Sequence, residues 1–303
     1  MTMGTLFLVV IVGYGWGKTF RNTHETAKGL SDMIVNITSP ALVIASTMGD
    51  TMPDRRLILP LLIIGFVTYA LLLLLARVLP KLLGLSGPNE GLFSFMMAFG
   101  NVGFIGYPVV ASIFGPEAVF YASVLNVANT VTVFVWGAQF IAGKEAGGSI
   151  LKRLYSPGLI GTYVSILIVA VQWHAPAIIS QACTLVGNIT VPGSLLIIGH
   201  SMAHIPLKHM AGDVKVFTMA PFRLIVLPLF VWCVFRAINM LPFIHIDETV
   251  LAINTILIAM PVATFGTIFC LKYGRDDTIM AQGTFLTTIL AMLSIPLVAG
   301  VIG

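Results

Sequence analysis

The sequence predicts an all-α integral membrane protein of ten transmembrane helices, built as two inverted five-helix repeats. Three observations carry this. Of 303 residues, 57% are hydrophobic and only 9% are charged, against roughly 25% charged in an ordinary soluble domain. The apolar residues come in runs close to the ~20 needed to cross hydrocarbon. The chain also echoes itself at an offset of about half its length.

In order, the predicted spans lie near 2–17, 29–49, 57–76, 91–114, 118–140, 157–173, 177–199, 222–240, 249–271 and 278–300. Almost all of the 16 Lys and Arg and the 12 Asp and Glu residues fall between them; Asp32, Arg223 and Arg236 are expected within a few residues of a span end. A charge at the bilayer centre costs about 2.5–3.5 kcal/mol even on the lenient insertion scale, so this exclusion is what a lipid solvent demands. It also predicts no permanent charge near the middle of any span.

The net charge of +4 is distributed by topology and forms no basic patch, so no nucleic-acid partner is expected. With ten spans, thirteen of the 16 basic residues fall on one side, among them Lys18, Lys81, Lys144, Arg153, Lys215, Arg223 and Arg275. Only Arg55, Arg56 and Arg236 fall on the other. That asymmetry predicts a multi-pass protein of the cell (inner) membrane with both termini outside. The first segment, Gly4 to Gly17, has its positive charges after it, which fits a retained helix and not a cleaved signal peptide. Cys183, Cys233 and Cys270 are scattered in apolar runs with no metal or disulfide spacing, so no metal or cofactor is expected.

The internal echo has three parts in the same order. Asn36-Ile-Thr-Ser-Pro40 returns as Asn188-Ile-Thr-Val-Pro192, 152 residues on. Arg56-Leu-Ile-Leu-Pro60 returns as Arg223-Leu-Ile-Val-Leu-Pro228, and Phe114-Gly115 as Tyr273-Gly274. Five spans per half is an odd number, so the second copy enters the membrane upside down. The organisation is 1–143, first repeat; 144–156, cytoplasmic linker; 157–303, second, inverted repeat. Inverted repeats suit secondary transporters, because two such copies can exchange conformations to open to either side.

The fourth span of each half is the least lipid-like. Phe99-Gly-Asn-Val-Gly-Phe-Ile-Gly-Tyr-Pro108 holds three glycines, an asparagine and a proline in ten residues, and the matching place reads Met260-Pro-Val-Ala-Thr-Phe-Gly-Thr267. Neither suits a continuous helix. Backbone groups freed at a break cannot face lipid, so the breaks are buried or line a watery cavity. The half-helices beginning there present N–H groups and the positive end of a dipole, roughly +0.5 charge each, to an anion. The preceding half-helices end there with the opposite sign. Packing is the other reading of Gly100, Gly103 and Gly106, which also fit a small-residue interface. Helix breaks or kinks are expected at Pro40, Pro108, Pro192 and Pro261.

These residues resemble the auxin efflux carrier family, which includes bacterial malate and malonate permeases and plant PIN-formed carriers. The resemblance runs over nearly the whole chain and is strongest at Asn36–Ala41, Gly100-Asn-x-Gly-Phe-x-Gly-x-Pro108, Met260-Pro-x-Ala263 and Tyr273-Gly274. It implies crossed, broken fourth and ninth helices with the substrate carboxylate beside the crossing. It also implies a homodimer, each protomer divided into a scaffold and a moving, elevator-type transport domain. Carried over, the crossing lies near Pro108, and the family asparagine ahead of it is Asn101. In the second half, Gly266 stands where the plant carriers have proline, which softens the ninth-helix break or shifts it toward Pro261.

The expected substrate-binding set is therefore Asn101, Gly103, Gly106, Pro108, Asn126, Asn129, Ala263, Thr264, Gly266, Thr267 and Thr287. Asn126 and Asn129 sit three apart on one helical face, and amides offer donors to a carboxylate without a buried cation. Interhelical hydrogen bonding is the other reading of these side chains. No span contains a central Asp or Glu, so coupling is open. His200 is a candidate for proton coupling or an interface histidine. The expected activity is transport of a small organic anion, such as malate, malonate or an auxin-like acid. The alternatives are a proton- or sodium-coupled carboxylate symporter and a non-transporting sensor or channel. The common hydrolase and phosphate-loop motifs are absent, which argues against an enzyme.

Overall fold

The computed structural model describes residues 3–20, 23–48, 52–143, 157–204, 213–242 and 245–303; the expected linker, 144–156, lies outside them. Among the described residues the regular structure is helical apart from one isolated antiparallel bridge. The first half runs α1 (Met3–Thr19), α2 (Thr23–Met33), α3 (Ser39–Ala45), α4 (Ile58–Leu82), α5 (Glu90–Ala98), α6 (Tyr107–Phe114), α7 (Ala118–Thr132) and α8 (Ala138–Ala142). The second runs α9 (Pro157–Val171), α10 (Ala177–Gly187), α11 (Thr190–His204), α12 (Val214–Pro221), α13 (Leu227–Asn239), α14 (Glu248–Ile258), α15 (Phe265–Lys272) and α16 (Thr278–Ile302).

Among the described residues five helical stretches are long and apolar enough to cross a membrane: Arg55–Leu82, Ala118–Ala142, Ala177–His200 (with a turn at Asn188 and Ile189), Val214–Asn239 and Thr278–Ile302. Val102–Phe114, Leu159–Val171 and Glu248–Ile258 are shorter apolar helices. Leu59, Leu74, Leu167, Ile178, Leu185 and Leu293 all point outward. Each would forfeit about 1.5–3 kcal/mol of burial energy in water, but lipid tails solvate them without that loss.

Several helices widen to a π turn without breaking: Ile34–Thr38, Val102–Gly106, Val133–Gly137 and Phe222–Val226. Three have a common cause. A proline ring collides with the carbonyl four residues before it. For Pro40, Pro108 and Pro228 that carbonyl belongs to Asn36, Phe104 and Leu224, each inside a π turn. Widening the turn absorbs the extra residue and relieves the clash. The prolines expected to break helices at 40 and 108 therefore follow bulges in unbroken helix. Pro192 lies in the first turn of α11, just after α10 ends at Asn188–Ile189.

By packing, the chain forms two compact units, each drawn from both halves: the described parts of Met1–Leu62, Gly103–Val124 and Leu154–Pro206, and those of Ile63–Val102, Leu125–Arg153 and Leu207–Gly303. In the first unit, α1 and α11 touch backbone to backbone. A Cβ on Gly13 would overlap the Leu196 carbonyl, and one on Gly199 would overlap Val10. Gly187 lies against Leu42 and Gly161 against Pro40. The two echoed pentapeptides meet here: Thr190 Oγ1 donates to Thr38 Oγ1 at 2.9 Å, both side chains buried.

In the second unit, α5 packs against α8, α15, α16 and the π turn Phe222–Val226, and its Phe95, Met96, Met97 and the following Phe99 are fully buried. Gly91 lies against the Phe140 carbonyl and Gly283 against Met96. Asn254 Nδ2 donates to Thr68 Oγ1 at 2.9 Å, so this buried polar pair satisfies itself.

Candidate functional site

The segments expected as the fourth and ninth spans are both interrupted within the second unit, and the interruptions touch. α5 stops at Ala98 and Phe99 is extended; helix resumes at Val102. α14 stops at Ile258, and the chain then runs non-helically to Thr264 before α15 starts at Phe265. Gly100 and Val262 form the antiparallel bridge. Asn101 N–H donates to the Pro261 carbonyl at 2.8 Å, and Ala263 N–H donates to the Phe99 carbonyl at 3.1 Å. Each gap thus satisfies the backbone groups that the other leaves bare, as buried backbone requires.

The crossing falls at Gly100 and Val262, ahead of the position near Pro108 that the resemblance implied. The reason is local. Pro108 is accommodated by the π turn, whereas the Gly100-Asn101 pair forgoes helix altogether. Pro261 lies in the second gap, where its missing N–H leaves no donor to satisfy.

Thr287 on α16 holds the second gap from behind. Its Oγ1 accepts from Val262 N–H at 3.1 Å and donates to the Gly283 carbonyl at 2.7 Å, fully buried. An aromatic group braces the same place: Phe95 stacks near Phe99 and Phe269, and Phe134 meets Phe265 and Phe269 edge-on. Gly266 is glycine for space, since a Cβ there would overlap Met280 Sδ and crowd Phe95.

Of the expected set, Asn101, Ala263 and Thr287 meet at the crossing, and Thr264 (exposed) and Thr267 (half-buried) follow it. Asn129 Nδ2 donates to Asn126 Oδ1 at 2.9 Å in the same unit, while the buried Asn129 Oδ1 has no protein partner. Gly103, Gly106 and Pro108 continue the chain into the first unit. A Cβ at Gly103 would meet nothing within 4 Å, so packing does not require glycine there. His200 is also in the first unit, buried with its ring 4.6 Å from that of Trp16. The side chain of His204 is outside the described residues.

One residue corrects the sequence expectation. Arg223 was expected near a span end, on the premise that the eighth span starts at residue 222. The helix starts at Val214, capped by Asp213, whose carboxylate accepts from Lys215 N–H at 3.0 Å. Arg223 therefore sits ten residues in, 1% exposed. Its Nη1 donates to the Met97 carbonyl at 3.3 Å, and its Nη2 packs so closely on Gly100 that a Cβ there would overlap it. Its Nε is buried with no protein partner. The expectation of no permanent charge near the breaks fails here. The echo of Arg56-Leu-Ile-Leu-Pro60 marked this segment in the sequence; the apolar run upstream, interrupted by Lys215, hid its depth.

Among the described residues no cluster of His, Cys, Asp or Glu is placed to hold a metal ion. The site is a buried backbone crossing with amides, hydroxyls and one guanidinium, suited to holding a charged or polar small molecule by hydrogen bonds. It contains no nucleophile–base pair.

The chain is 26% identical over 301 residues to an uncharacterized transporter of Methanocaldococcus jannaschii, covering 96% of this chain and 95% of that one. It is 25% identical over 308 residues to an uncharacterized transporter of Methanothermobacter thermautotrophicus, covering 98% and 96%. The profile of the family described as membrane transport protein matches residues 1–153 and 146–299. With broken, bridged helices at its core and a family match along almost its whole length, the chain belongs to the membrane transport proteins of the auxin efflux carrier family, a family of transporters and not enzymes.

Proposed function

We propose that this multi-pass transporter is a secondary carrier of a small organic anion, a carboxylate, working by alternating access of the elevator type. The observation that carries the reading is the bridge between Gly100 and Val262. Two interrupted helices hydrogen-bond to each other and start new helices at Val102 and Phe265, whose positive dipole ends favour an anion beside the bridge. The substrate's carboxylate sits there, against Asn101 and the N-termini, with Asn126, Asn129, Thr264 and Thr267 as further polar contacts.

The ten-span, inverted-repeat topology belongs to the same proposal. Repeat-equivalent residues meet across a two-fold axis, and the contact of Thr38 with Thr190, 152 positions apart, is of that kind. Two compact units, each drawing on both halves, support a scaffold and a moving carrier. The homodimer is carried over from the family resemblance.

The test is uptake by the purified chain in proteoliposomes, with a panel of mono- and dicarboxylates and with membrane potential and pH gradient imposed separately. Saturable uptake of an unaltered acid is expected. Non-saturating flux would make it a channel. Asn101→Ala is expected to abolish saturable uptake while the melting temperature stays near wild type; unchanged kinetics in that variant would take Asn101 out of the site.

A further inference from the structure

Four helix ends meet at the crossing. α5 ends at Ala98 and α14 at Ile258, each with the negative end of its dipole; helices begin at Val102 and Phe265, each with the positive end. At roughly half a charge per end, two negative and two positive ends sum to about zero. The crossing alone therefore provides hydrogen bonds to an anion but no net charge to neutralise it. Arg223 changes that sum. Its guanidinium donates to the Met97 carbonyl, in the last turn of α5, and so offsets one of the two negative ends directly.

The usual explanation for a buried arginine is a buried carboxylate beside it. Here that explanation fails. Among the described residues Lys81 pairs with Glu90 and Arg236 with Glu248, whereas Arg223 pairs with no carboxylate. Each described Asp and Glu of this unit (Glu90, Asp213, Asp247, Glu248, Asp276, Asp277) lies in a loop or at a helix start. Arg223 is 1% exposed, its Nη2 faces Gly100 at the centre of the crossing, and its Nε has no hydrogen-bond partner among the described residues.

We propose that Arg223 is the counter-charge of the transported anion: a buried guanidinium behind Gly100 whose missing carboxylate is the substrate's own. It acts through the crossing and not by a direct contact, which makes it a positioning and selectivity residue. The inference rests on the anion-carrier reading and narrows it. One net positive charge matches a monocarboxylate, or a dicarboxylate whose second carboxyl stays outside the crossing. The neutral amide of the same acid has the same shape but leaves the arginine uncompensated, so the site rejects it.

The experiment measures competition by each acid and its amide, indole-3-acetate against indole-3-acetamide and malonate against malonamide, for acid uptake into proteoliposomes. Wild type is expected to favour the acid by about tenfold or more, the size of a through-space charge interaction at partly screened range. In Arg223→Gln the acid-to-amide preference falls toward unity, and Arg223→Lys, which keeps the charge, retains most of it. Equal losses for acid and amide, or an unchanged preference in Arg223→Gln, would overturn the inference and leave the carrier reading standing. If Arg223→Gln does not fold, Gly100→Ala decides. Its Cβ takes the space of Nη2, so a lowered preference supports the counter-charge and an unchanged one overturns it. Wild type with no saturable acid uptake removes the carrier reading itself.

Discussion

At the scale of single residues, the crossing is held by a few bonds whose loss is measurable. Among the described residues Thr287 Oγ1 is the acceptor for Val262 N–H, at 3.1 Å, in fully buried surroundings. Valine has nearly the same shape but no acceptor. Thr287→Val therefore strands a buried donor, which costs about 1–3 kcal/mol, and the protein is expected to melt correspondingly earlier in a thermal-shift assay. A melting temperature equal to wild type would mean that water replaces the hydroxyl. Residue identity was legible in the sequence where backbone chemistry demanded it: Gly100-Asn101 and Pro261 are poor helix residues wherever they occur. Arg223 was not. Insertion cost argues for charges at span ends, and it prevails unless partners in the surrounding structure, such as the Met97 carbonyl that accepts from Arg223, repay part of the burial.

At the scale of elements, proline placement divides into two physical outcomes that the sequence does not distinguish. Pro261 stands in a true gap, while Pro40, Pro108 and Pro228 follow π turns in continuous helix. Whether a turn widens or breaks depends on a partner for the freed carbonyl and on packing from elements far away in sequence. The paired breaks were therefore readable from composition, but the register of their contact, Gly100 with Val262, was not. The π turn at Phe222–Val226 also aims Arg223. Removing its cause should let the turn close to ordinary α-helix, shifting side chains around the axis by up to one residue's rotation, about 100°. Pro228→Ala is accordingly expected to shift acid-over-amide preference in the same direction as Arg223→Gln, with the charge still in the chain. An unaltered preference would mean that packing against α16, and not the proline, sets the turn.

At the scale of the whole molecule, the distribution of charge was the most legible feature, because a membrane solvent acts on every span alike. Moving Arg223 into a helix interior leaves twelve basic residues against three across the proposed faces, so the proposal that both termini lie outside rests on nearly the same asymmetry. The direction of net transport is a property at this scale too. A charge fixed in the protein returns with the empty carrier, so Arg223 adds nothing to the charge moved per cycle; the substrate alone sets it. For a monocarboxylate carried without a co-ion, each 100 mV is worth about 2.3 kcal/mol. At about 1.36 kcal/mol per decade that is a roughly 50-fold difference in steady-state concentration. Proteoliposomes holding a potassium-valinomycin potential of that size should approach such a ratio, with a pH gradient alone producing little accumulation. A proton carried with each monoanion would reverse the pattern: the ratio would follow the pH gradient and ignore the voltage, and the uncoupled mode would be excluded.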